Sequence, residues 1–346
     1  MRYTRACIET IAYELPPAVV TSEALELRLA PLYRDLRLQV GQLEALTGIR
    51  ERRYWSAGQS MADGALRAAR KALVRSAARV DDIGMLIYGG VCRDNLEPAT
   101  ACAVADGLGV KPAAHIYDIS NACLAVINGI MQVANAIELG QIRAGMVVSC
   151  ESARQIVDLT IERMLAQPTM DVFRHCIATL TGGSGAIAVV VCDQSLAPRG
   201  HRIIGGAVRN RTQWHKLCRW GPDTGMPATA PMQMDTDAVG VMEHGVELGV
   251  ETWEAFLEEM HWQTDHIDRT ICHQVGAPHR DFVLQKIGMP REKDFVTYEF
   301  LGNIGTVSLP ITAAIAEERG FLEKGHRTAF CGIGSGLNCL ILGVDW

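Results

Sequence analysis

Three stretches of this chain recur further along it, in the same order. "DDIGMLIYGGV" at 81–91 resembles "DHIDRTICHQV" at 265–275, each an acidic turn, an isoleucine and an apolar strand. "NGIMQVANAIELGQI" at 128–142 matches "SLPITAAIAEERGFL" at 308–322, and "GGSGAIAVVVCD" at 182–193 matches "GIGSGLNCLILGVD" at 332–345. Repetition on this scale means that one supersecondary plan is used twice. Apolar runs of strand length also alternate with helical patterns, as in a layered α/β protein. The spacing predicts helices over 22–36, 61–78, 99–108, 123–139, 240–261, 278–287 and 306–319. It predicts strands over 83–89, 114–119, 145–150, 186–192, 268–273, 295–299, 327–331 and 338–344, with another near the N-terminus. The expected fold is α/β, in two duplicated halves of residues 1–195 and 196–346.

The repeat sets particular residues opposite each other. At the helix offset of 180 residues Cys123 corresponds to Asn303, and at the strand offset of 184 Gly89 corresponds to His273. If the halves pack about a pseudo-twofold axis, the start of the Cys123 helix faces the "GNIG" turn at Asn303. His273 then lies beside them at the end of a strand, where α/β sheets place their sites. In "DISNACLAVINGIMQVANAIELG" (118–140), Asp118, Ser120 and Asn121 are cap-type residues, and apolar positions recur at helical spacing from Leu124. Cys123 therefore stands in or just before the first turn, where free N–H groups and the helix dipole favour a thiolate. The plainer alternative is that Cys123, like other cysteines of the chain, is a small core hydrophobe.

Composition removes several classes of function. A net charge of −6 with no basic block argues against nucleic acid as a partner. The eleven cysteines are scattered and none stands in C-x-x-C, so neither zinc nor a disulfide framework is expected. With no secretory leader they read as free thiols in a reducing cytoplasm. No apolar run approaches the ~20 residues of a membrane span. His175, His201, His215, His244 and His261 lack metal-ligand spacing, and no metal is expected. "GIGSGLN" leads into a strand rather than a helix, so it is not a phosphate loop.

"NAC" at 121–123, "CHQVGAPH" at 272–279, "GNIGTVSLP" at 302–310, "GIGSG" at 332–336 and "TGIRERR" at 47–53 resemble the thiolase superfamily. Within it they resemble the ketoacyl-ACP synthase III branch of condensing enzymes, over essentially the whole chain. The resemblance implies a thiolase-like fold of five αβαβα layers, the first half carrying the cysteine and a helical insertion at about 151–180, the second carrying the histidine and asparagine. It implies a homodimer that needs no cofactor and takes acyl-CoA or acyl-ACP thioesters as substrates. Cys123 would be the acyl-accepting nucleophile, and His273 and Asn303 hydrogen-bond donors to an enolate. The backbone N–H groups of Cys123 and Ser335 would form the oxyanion hole. The insertion, including "ERMLAQPTMDVF", would line the acyl tunnel. Family positions that hold CoA adenine are Gln42 and Leu46 here, which leaves Arg50, Arg52 and Arg53 as possible phosphate contacts.

The synthase III branch carries a phenylalanine where this chain has Glu97, on a segment that points into the partner's acyl tunnel. A carboxylate there is suited to remove a proton; the alternative is a glutamate at a surface strand end. "RDNLEP", with "NACLAVING", "KLCR" and "GIGSGLNC", resembles the olefin-biosynthesis condensing enzymes of this superfamily. These join two fatty acyl-CoAs head to head without decarboxylation, and their function is the one expected here, a Claisen condensation to a 2-alkyl-3-oxoacyl product. The alternatives are a decarboxylating ketoacyl synthase III using malonyl-ACP, an acyltransferase of secondary metabolism, or a non-catalytic partner subunit. Met226, Met232, Met234 and Met242 suit either a flexible acyl channel or an ordinary core. His279, six residues beyond His273, is expected to be structural.

Overall fold

The computed structural model describes residues 1–221 and 232–346. β1 (Ala6–Glu14) is followed by a ribbon of β2 (Ala18–Thr21) and β3 (Glu51–Tyr54). β4 (Ile83–Gly89), β5 (His115–Ile119), β6 (Ala144–Glu151), β7 (Gly185–Asp193) and β8 (His201–Asn210) come next. β9 (Cys218–Gly221) pairs with β10 (Gln233–Thr236), and β11 (Arg269–Cys272), β12 (Arg327–Gly334) and β13 (Asn338–Asp345) complete the series. Among the described residues the main sheet has the order β11-β12-β13-β8-β1-β7-β6-β4-β5. β4 is parallel to β5 and β6, and β11 is parallel to β12.

Outward from the β1–β8 junction the two halves run β1-β7-β6-β4-β5 and β8-β13-β12-β11. The repeated segments thus occupy equivalent places, β4 with β11 and β7 with β13. The last repeated pair is separated by only 150 residues, thirty fewer than the helix pair. Two helices of the first half, Arg154–Ala166 and Met170–Cys176, account for the difference.

Apolar clusters define the layers. The helices Ala125–Glu138 and Ser308–Glu318 share one core with strand residues of both halves, including Ile87, Val147, Val189, Ile271, Phe330 and Leu342. Each such side chain contributes about 1.5–3 kcal/mol when removed from water. On the outer face of the first half, the alanine-rich helix Met61–Arg75 packs on β1, β6 and β7. On the outer face of the second, the helix Ala238–Met260 packs on β8 and β13, and the helix Ala277–Ile287 packs against it. The two halves of the one sheet thus enclose the helices Ala125–Glu138 and Ser308–Glu318 and carry the outer helices on their other faces.

Two sequence expectations fail. Residues 295–299 form no strand; Thr270 makes only an isolated bridge to Asp294, and Tyr298–Leu301 is a helix. Gln274 Oε1 accepts the N–H groups of Thr297 and Tyr298 at 3.0 and 3.2 Å, which removes them from any ladder. β8 was not expected, because Gly205 and Gly206 interrupt its apolar pattern. They are needed there, since a Cβ would lie 2.4 Å from the Met1 carbonyl oxygen or 2.3 Å from that of Ile341.

Candidate active site

Cys123 sits between the end of β5 and the helix that begins at Ala125. Ala122 has φ +45°, a left-handed conformation that bends the chain sharply before the cysteine. Asn121 secures the bend: its Nδ2 donates to Asn128 Oδ1 at 2.7 Å, and its Oδ1 accepts from Asn338 Nδ2 at 3.4 Å. A Cβ on Gly334 would lie 3.4 Å from the Cys123 nitrogen, so the turn carrying Ser335 closes against the cysteine. Neither the Cys123 N–H nor the Ser335 N–H donates in the described turn and loop bonds.

The thiol departs from expectation. Cys123 is half-buried, and burial, then the carboxylate of Glu151, then Cys218, push its pKa up to about 12. Dehydration disfavours the thiolate more than the helix start two residues on can favour it. At rest the Cys123 side chain is a thiol.

Asn303 is held by its own turn. Gly302 has φ +68°, and a Cβ there would lie 2.4 Å from the Thr181 carbonyl oxygen, so only glycine lets the chains approach. Asn303 N–H donates to Thr181 O, and its carbonyl accepts from Gly183 N–H, both at 2.9 Å. Its side-chain oxygen accepts the Gly305 N–H at 3.1 Å. With Oδ1 engaged, the Nδ2 group is left to donate.

His273 follows β11, and its N–H donates to Cys331 O at 2.9 Å. It is 7% exposed. Burial, assisted by the His279 ring, lowers its pKa to about 3, and burial lowers that of His279 to about 4. Both line one small cavity of about 40 Å³ with Trp253, Cys331 and Cys339. His279 is thus the neighbour of His273, and both rings are neutral at physiological pH. A neutral ring donates or accepts a hydrogen bond without carrying charge.

The remaining expected residues are scattered. Glu97 is exposed on the segment after β4. Beside it, Leu96 lines a cleft of about 1020 Å³ with Trp55, Asn95, Ser152 and Arg154. Arg52 is enclosed rather than available to a phosphate: it is 0% exposed and donates to Ser22 Oγ and the Val20 carbonyl. Arg53 donates to Pro16 O, and Arg50 is exposed. The insertion helices pack on Leu25, Leu29, Leu32 and Tyr54 and are tied to β10 by Arg163 and Asp235 at 2.7 Å. Met232 lies at the large cleft and Met242 at a separate apolar groove, while Met226 lies outside the described residues. No group of three or more His, Cys, Asp or Glu able to hold a metal occurs among the described residues, and no helix there is long and apolar enough to cross a membrane.

Sequence reasoning missed Glu151. A glutamate closing the buried strand "AGMVVSCE" was the signal. It is 5% exposed and accepts the N–H groups of Val91 and Cys92 at 2.8 and 3.3 Å.

Residues 257–346 match the family described as 3-oxoacyl-[acyl-carrier-protein (ACP)] synthase III C terminal. The chain is 53% identical, over 100% of both sequences, to an acyl-CoA:acyl-CoA alkyltransferase of Shewanella oneidensis. It superposes with a TM-score of 0.94 on a cysteine-to-alanine form of Xanthomonas campestris OleA, at 36% identity, covering 100% of this chain and 98% of that one. A cysteine-to-serine form of that OleA, with bound lauric acid and lauroyl-CoA, gives 0.93 at 36% identity, covering 99% and 100%.

Proposed function

The chain belongs to the acyl-CoA:acyl-CoA alkyltransferase family, and from this we propose that it joins two fatty acyl-CoA thioesters in a non-decarboxylative Claisen condensation. The Cys123 sulfur attacks the first thioester carbonyl, and its proton leaves with the displaced CoA thiol. The Cys123 and Ser335 N–H groups receive the transient oxyanion, and each such donor is worth roughly 3 kcal/mol. The second acyl-CoA loses its α-proton, and His273 and Asn303 Nδ2 donate to the enolate oxygen. The α-carbon then bonds to the acyl-Cys123 carbonyl carbon, and the cysteine thiolate leaves. The product is a 2-alkyl-3-oxoacyl thioester, or its acid after hydrolysis. The reaction as drawn uses acyl-CoA twice and requires no further cofactor.

The whole-length similarity to an acyl-CoA:acyl-CoA alkyltransferase carries this reading, and the neutrality of His273 fits it. A ring that resists protonation to about pH 3 is a hydrogen-bond donor, not a base for a weakly acidic C–H. Glu151 has both oxygens committed to backbone N–H groups. The resemblance of "RDNLEP" to the olefin-biosynthesis condensing enzymes assigns the base to Glu97, brought to the neighbouring active site by a homodimer. The binding of lauroyl-CoA by the Xanthomonas campestris protein supports acyl-CoA as the substrate class. The test is incubation with myristoyl-CoA alone, followed by mass spectrometry. A head-to-head product without malonyl thioester supports the assignment; a strict need for malonyl-ACP overturns it.

A further inference from the structure

Glu151 is a buried carboxyl in which the condensation scheme has no part. Among the described residues it meets no cation, although a charge in such surroundings demands compensation. Its partners come from two turns, one leading to the Glu97 that serves the partner's site and one aiming the Asn303 of its own. On one side Oε1 and Oε2 take the N–H groups of Val91 and Cys92, at the root of the segment that carries Glu97. On the other side a Cβ added to Gly305 would lie 3.6 Å from Glu151 Cγ, 3.7 Å from Cδ and 4.0 Å from Oε2. Gly305 is the residue whose N–H holds the Asn303 side-chain oxygen. One carboxylate thus separates and spaces the two turns.

Resting on the condensation reading, we propose that Glu151 is a positioning residue for carbon–carbon bond formation, setting the root of the Glu97 segment against the turn that aims Asn303. Two oxygens suited to two N–H donors explain why a carboxylate stands here. A glutamine would satisfy Val91 but turn its NH₂ toward the Cys92 N–H. An aspartate would keep the charge but fall short by one methylene.

The same group acts electrostatically on the nucleophile. Among the described residues, Glu151 and Cys218 are the titratable groups whose fields reach Cys123. Around Glu151 itself stand Tyr88, Cys92 and Cys150, all held well above their usual pKa values by burial and by this carboxylate, hence neutral. Burial pushes the Glu151 carboxyl up, opposed by the Val91 and Cys92 N–H groups; once ionised in the alkaline range, the carboxylate opposes thiolate formation at Cys123, so its removal eases that ionisation. A residue that only stabilised the fold would not move this titration.

The experiment compares full-length wild type, Glu151→Gln and Glu151→Asp. Iodoacetamide alkylation of Cys123, located by peptide mass spectrometry across alkaline pH, reads thiolate formation without any acyl substrate. Acyl-enzyme formation and condensed product from myristoyl-CoA read the two chemical steps. For Glu151→Gln the alkylation midpoint should fall by about one pH unit. Acylation should stay within about threefold, while condensation drops roughly 10- to 100-fold, the scale of a misplaced reacting group. Glu151→Asp should keep the wild-type midpoint yet still lose condensation; it also carries the test if the glutamine variant does not fold. Wild-type condensation in both variants, or equal losses in both steps, overturns the proposal. If wild type itself makes no product from acyl-CoA, the condensation reading fails, and the alkylation midpoints still report whether Glu151 governs Cys123.

Discussion

The backbone N–H of Val126 donates to Thr306 Oγ1 at 2.8 Å across a separation of 180 residues. That separation is the offset of the internal repeat, so equivalent residues of the two halves are bonded to each other, which places this contact at the pseudo-twofold axis. Cys123 and Asn303, related by the same offset, each lie three residues before a member of this pair. The turns that carry Cys123 and Asn303 are thus anchored through one shared hydrogen bond.

Thr306 is 2% exposed. Thr306→Val conserves shape but leaves the Val126 N–H unpaired, a cost of about 1–3 kcal/mol. Urea unfolding should show this loss, with an unchanged dependence on urea concentration. A variant as stable as wild type would mean that the bond does not hold the halves together.

Cys123→Ala should abolish the acyl adduct and all turnover while preserving the fold. Intact-protein mass spectrometry after exposure to acyl-CoA checks this. An adduct that persists in the variant would reassign the nucleophile to another cysteine, with Cys218 the nearest alternative by its field at the site.

Glu97→Gln should retain acylation of Cys123 and lose condensation by roughly 10²-fold or more, the scale of a removed general base. Because Glu97 is assigned to the partner's site, mixing Cys123→Ala and Glu97→Gln subunits under exchange conditions should restore product. The mixed dimer then has one complete site. Light scattering that finds an active monomer would remove the role in trans.

Stability should fall on mild acidification. In the unfolded chain His273 and His279 take up protons near pH 6.5, but in the folded chain only near 3 and 4. Between these values the unfolded state binds more protons, so stability is complete above about 6.5 and declines as the pH is lowered. Each ring should cost about 2 kcal/mol by pH 5. Thermal unfolding of His279→Gln should therefore lose less between pH 7 and 5 than wild type does. Parallel losses would show that the histidines are not the cause.

The sequence by itself determined the architecture and proposed a chemical set within it. A duplicated pattern carries long-range information that a single pattern does not. Once two segments match, the symmetry of their packing relates the turn of Cys123 to that of Asn303, and the Val126–Thr306 hydrogen bond joins the two halves there. Helix and strand spacing, being local, also located most elements to within a few residues. Tertiary structure alone decided what burial decides. The Cys123 thiol has a pKa of about 12 because dehydration and Glu151 act together, and Glu151 lies 28 residues away with nothing in the spacing to connect them. Arg52 reads as a free cation in "TGIRERR" but is enclosed between Val20 and Ser22. The 295–299 strand is lost to the side chain of Gln274. Solvation and field energies depend on which surfaces meet, and residues remote in sequence supply those surfaces.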